Sequence, residues 1–73
     1  MSCEEFRDNI LKQMENRPKW SRKGQFVFNY IEETYGSVAC KVQFIDHIDC
    51  FYDDDMIDPF IIKCWENLRD GLS

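Results

Sequence analysis

The sequence predicts an all-α fold, with residues 1–73 forming one small domain: a bundle of three longer helices and one short one. Three observations predict it. Apolar residues recur at three- and four-residue spacing in three separate stretches. Each stretch is bounded by a capping residue, a proline or a glycine. The one segment that alternates like a strand has no second strand elsewhere in the chain to pair with.

The second helix, about residues 22–35, is the central element. Val27, Phe28, Ile31 and Tyr35 share one side, and Phe26 and Tyr30 add a second stripe. A helix apolar around so much of its circumference is expected to be touched by the others. Ser21 is the expected N-cap. Trp20, just before it, is expected to pack back on the first turn as a hydrophobic staple. Gly36 supplies a left-handed stop.

The first helix, about residues 3–16, carries Cys3, Phe6, Ile10 and Met14 at helical spacing, with Leu11 beside them. Ser2 with Glu5 fits a capping box, and Glu4 and Glu5 suit the positive end of the helix dipole. Pro18 ends this helix because it has no amide hydrogen and restricts Arg17. Residues 38–45 are ambiguous. Val38, Cys40, Val42 and Phe44 alternate like a strand, while Val38, Ala39, Val42 and Ile45 fit a short helix capped by Ser37. The lack of a pairing strand favours the short helix. Residues 46–54 form an acidic loop, pinned to the core by Ile48, Phe51 and Tyr52. The last helix, about residues 55–70, buries Ile57, Phe60, Ile61, Cys64 and Leu68, has Pro59 in its first turn and stops at Gly71.

Composition narrows the function classes. At 44% hydrophobic and 15% aromatic the chain is not a disordered one, and its rings are an efficient filling for a small core. A net charge of −5 makes it a poor default binder of nucleic acid or anionic membrane. No apolar run is long enough to cross a bilayer. The four cysteines, Cys3, Cys40, Cys50 and Cys64, have the number for two disulfides. The opening Met-Ser-Cys-Glu-Glu has neither the basic run nor the apolar segment of a secretory leader. A cytoplasmic location with reduced thiols is therefore expected.

Two segments carry a resemblance. Arg22-Lys23-Gly24-Gln25-Phe26-Val27-Phe28-Asn29 resembles an Arg-x-Gly-Gln-x-x-Phe-Asn pattern. Asp49-Cys50-Phe51-Tyr52-Asp53-Asp54-Asp55-Met56-Ile57-Asp58-Pro59-Phe60 resembles Asp-Pro-Phe-Tyr-Asp-Asp-x-Arg-Ile-Pro-x-Phe. In this order and spacing, the two resemble a group of short uncharacterised bacterial and phage proteins. The chain departs from the pattern at Cys50, Met56 and Asp58, where the group has Pro, Arg and Pro. The resemblance implies an all-helical domain and supplies no activity.

The residues themselves suggest four candidate roles. Arg17, Lys19, Arg22 and Lys23 concentrate positive charge at the start of the second helix, and Gln25 extends the polar strip. Cations there oppose the helix dipole by about 0.3–1 kcal/mol each. Free amides with Gly24 among them suit a phosphate or carboxylate, which makes these five residues a candidate anion or nucleic-acid contact. The favoured alternative is an anion from the same chain. Asp53, Asp54 or Asp55 would fill the place, and Arg22, Gln25 and Asn29 would clasp the loop. Metal binding by Asp46, His47, Asp49 and Asp53–Asp55 fails because a calcium loop needs a glycine and set oxygen spacing. His47-x-x-Cys50 has no second ligand pair to complete a zinc site. No metal or cofactor is expected. Catalysis by Cys50 with His47 lacks an oxyanion device and a deep pocket, so no enzyme activity is expected.

The last helix carries a second apolar line, Ile62 and Trp65, as a candidate protein interface, unless Trp65 wraps onto the first helix. The expectation is a small cytoplasmic, non-enzymatic protein-interaction module. Its partner is another protein, a second copy included. A nucleic-acid- or phosphate-binding regulator is the alternative, and no membrane role is expected.

Overall fold

Ser2 starts α1, Cys3–Glu15, in the computed structural model, which describes residues 2–71. Its hydroxyl accepts from the Glu5 N–H at 3.1 Å, satisfying one of the amides that a helix start leaves free. The face Phe6, Ile10 and Met14 is buried. Arg17 then closes the connection to the second helix. Its guanidinium donates to the carbonyls of Met14 and Ser21, each at 3.0 Å.

The next helix, α2, runs Lys23–Tyr35 with Arg22, not Ser21, at the N-cap. Ser21 is instead buried, and its carbonyl is taken by Arg17. Nor does Trp20 staple the first turn. The Ser21 N–H bonds to the Pro18 carbonyl, forming a tight turn, and Trp20 is 82% exposed. Gly36 follows the helix at φ 88°, ψ −149°. This is a glycine-only region, but it is the mirror of the extended region rather than the left-handed helical one expected.

Residues Val38–Phe44 form the short helix α3. Only Ala39 and Val42 of it are buried, and Phe44 and Ile45 point outward. The acidic segment then leads into a single 3-10 turn, Asp54–Met56, which was expected as the first turn of the last helix. Asp53 caps this turn, accepting from the Asp55 N–H at 3.0 Å. The last helix, α4, spans Ile57–Gly71, with Pro59 as its third residue, where a missing amide hydrogen breaks no helical bond. Gly71, expected to stop this helix after Asp70, is instead its last described residue.

The α2 helix contacts α1, α3, α4 and the 3-10 turn, and α4 closes the bundle against α1 and α3. Phe6, Ile10, Val27, Ile31, Phe60 and Ile61 are all but fully buried between them. Each such side chain contributes roughly 1.5–3 kcal/mol by leaving water. Ring pairs Phe6–Tyr35 and Phe28–Phe60 lock α2 to α1 and α4, with centroids 5.2 and 5.8 Å apart. Among the described residues there is no strand, and no helix is long and apolar enough to cross a membrane.

Candidate functional site

The start of α2 meets the acidic segment at Gly24. Asp49 turns the chain by accepting from the Phe51 N–H at 2.8 Å, which carries Cys50 inward to full burial. The Cys50 thiol donates to the Gly24 carbonyl at 3.4 Å. The Gly24 N–H donates to Asp54 Oδ1 at 3.0 Å, and Arg22 Nη2 donates to the Tyr52 carbonyl at 3.2 Å. No side chain fits at position 24. A Cβ there would collide with the Cys50 carbonyl oxygen and stand 3.0 Å from Asp54 Oδ1. The two segments that carry the resemblance therefore lie against each other, with Gly24 at the contact.

The expected clasp residues divide between three places. Asp54 holds the helix-start amide. Arg22 reaches the loop through a carbonyl rather than a carboxylate. Asp53 caps the 3-10 turn. Gln25 and Asn29 are not part of the clasp: they line a shallow hollow along α2 with Pro18, Phe26, Tyr30 and Glu33. The reason is angular. The loop approaches α2 at Gly24, and residues one and five positions further on face another direction.

The basic candidates Arg17, Lys19, Arg22 and Lys23 do come together. With Arg7 and Trp20 they line an open hollow of about 750 Å³, along with Asp54, Asp55 and Asp58. Arg7 is paired with Asp58 at 3.1 Å. Lys19, Arg22 and Lys23 form no ion pair among the described residues. Gln25 does not line this hollow.

On α4, Ile62 is 42% exposed. Trp65 is half-buried against the core, with the Arg69 guanidinium 4.7 Å from its ring centroid. Larger free apolar surface lies elsewhere. Phe44, Ile45 and Tyr52 are 70%, 65% and 70% exposed. Phe44 and Tyr52 flank an open hollow of about 520 Å³ with Phe28, Phe51, Gln43 and Asp49. Phe51 packs edge-on to both Phe28 and Tyr52, with centroids 5.5 and 4.8 Å apart. None of these was an expected contact: Tyr52 was expected to pin the loop to the core and Ile45 to share the apolar pattern of the short helix, and both instead face water. One signal was available: in a helix Phe44 stands about 200° around from Val42, so burying Val42 exposes Phe44.

The two buried thiols, Cys50 and Cys64, are chemically quiet. Burial, with Asp49 adding to it, pushes the Cys50 thiol up from 9.0 to about 12, and burial also raises Cys64. A buried thiol held in its neutral form is a poor nucleophile. Exposed His47 stands in left-handed backbone at φ 59°. No group of three or more His, Cys, Asp or Glu side chains converges on a metal-sized site among the described residues.

Comparison of the chain with protein-family models, with curated proteins and with solved structures found no match to any of them.

Proposed function

We propose that this protein is a cytoplasmic, non-enzymatic protein-interaction module. Its contact face is the aromatic rim of Phe44 and Tyr52 around the hollow backed by Phe28 and Phe51, with exposed Ile45 next to Phe44 in the chain. The observation that carries this reading is the exposure of two large aromatic side chains, Phe44 and Tyr52, each at 70%, on the rim of one concave surface. Clustered exposed aromatics around a recess are the features that anchor protein interfaces. The Ile62 and Trp65 pair offers less free area, because the core and Arg69 already cover part of Trp65.

Cross-linking capture from cells tests it, with the wild-type chain compared against Phe44→Asp and against the Ile62→Ser control. The reading expects partners that are held by wild type and by Ile62→Ser and lost by Phe44→Asp. Retention of every partner by Phe44→Asp would refute it.

A further inference from the structure

We propose that the occupant of the aromatic hollow is Trp20 of a second copy of this chain, in a reciprocal two-fold dimer. The inference rests on the contact face assigned above and names its partner. Trp20 is the most exposed large apolar side chain among the described residues, at 82%. It stands in the stretch from Arg17 to Lys23, which holds four cations and no acid. The aromatic hollow carries no cation and one acid among its lining residues. Of the five aspartates in residues 46–55, Asp49 lines this hollow, while Asp54 and Asp55 line the one beside Trp20.

The two patches are neighbours on one molecule. Arg22, which lines the Trp20 hollow, donates to the carbonyl of Tyr52, which rims the aromatic one. A two-fold interface needs a self-complementary face, on which residue i meets j and j meets i. An exposed indole beside Lys19 and Lys23, unpaired among the described residues, next to an apolar recess that carries Asp49, meets that condition. Each Trp20 would hide an indole worth roughly 150–250 Å² of contact while the neighbouring lysines approach Asp49 of the partner copy. A single nucleic-acid strand meets the same cations, but beside five aspartates on a chain of net charge −5.

The test is sedimentation of the full chain from micromolar to millimolar concentration, with Trp20→Ala, Phe44→Asp and an equimolar mixture of these two variants. Circular dichroism confirms that each variant folds. Wild type should dimerise, and each variant alone should raise the dimer dissociation constant roughly tenfold or more. The mixture should associate more tightly than either variant alone, because one Trp20 then meets one intact hollow. A wild type that stays monomeric overturns the proposal. So does a dimer indifferent to both substitutions, or a mixture without rescue. A monomeric chain that binds a labelled single-stranded oligonucleotide, losing it with Trp20→Ala, would assign Trp20 to base stacking instead. Failure here with partner capture still lost by Phe44→Asp would leave the interaction-module reading standing, with a different partner.

Discussion

Asp54 Oδ1 accepts the Gly24 N–H at 3.0 Å from 30 residues further along the chain, and so caps a helix that carries no acceptor of its own at the cap. Arg22 occupies the N-cap without a side-chain capping bond. Gly24 is the second residue of α2, one of the two positions an N-cap side chain ordinarily serves. The carboxylate also sits at the positive end of the α2 dipole, offsetting the unfavourable placement of Arg22 and Lys23.

Asp54→Ala is therefore expected to lower stability by about 0.5–2 kcal/mol, the usual range for loss of a capping acceptor. Asp54→Asn keeps an acceptor oxygen and should lose less. Urea denaturation checks both. Three indistinguishable midpoints would show that the bond contributes nothing.

Gly24→Ala sets two effects against each other. Alanine improves helix propensity by about 1 kcal/mol. Its Cβ also collides with the Cys50 carbonyl, forcing the loop away at a typical overpacking cost of about 1–3 kcal/mol, with the cap and the Cys50 thiol bond lost as well. Net destabilisation is expected. Gly36→Ala differs in cause: nothing lies within 4 Å, so its cost of about 1–3 kcal/mol is backbone strain alone at φ 88°. Thermal melts of the two variants, with amide spectra of the 46–54 loop, separate the mechanisms. Only Gly24→Ala should shift the loop.

The thiols should divide two and two. Cys3 and Cys40 are half-exposed and should react with a thiol reagent in the native chain, while Cys50 and Cys64 should react only after unfolding. The same burial sets an alkaline limit. Because the folded chain holds the Cys50 proton more tightly than the unfolded one, the contribution is complete below pH 9.0 and is lost as pH rises toward about 12. Cys64 acts in the same direction. A Cys50→Ala chain should show a shallower loss above pH 9.0 than wild type. Equal slopes would mean that other groups carry the alkaline transition.

Trp20→Ala should leave monomer stability within about 0.5 kcal/mol, the usual range for a surface position. A Trp65→Phe chain, in which Trp20 is the sole indole, should fluoresce like a water-exposed ring and be readily quenched at concentrations where the chain is monomeric. A large loss of stability on removing Trp20 would restore the staple role that the sequence suggests.

Much of the bundle is legible in the pattern of residues, because helix spacing and stop signals act over a single turn. Ser2 and Glu5 read as a cap, Pro18 and Gly36 as breaks, and Phe6, Ile10 and Met14 as one buried face. Errors fall where two local signals compete. Ser21 and Arg22 both precede α2, and the cap position went to Arg22 because Ser21 is drawn inward by Arg17. Trp20 reads as a staple from its place beside the cap, yet the first turn of α2 is already covered by Cys50 and Asp54.

The sequence by itself determined the all-helical architecture, the central role of α2 and the meeting of unlike charges near its start. Each of these follows from periodicity, capping chemistry and composition, which need only neighbours along the chain. Tertiary structure alone decided which aspartate fills the helix start, that Gly24 is required by a carbonyl 26 residues away, and that Trp20, Phe44 and Tyr52 face water. The first two outcomes rest on contacts between α2 and a segment 26 to 30 residues further along, which no local preference of the residues involved can specify.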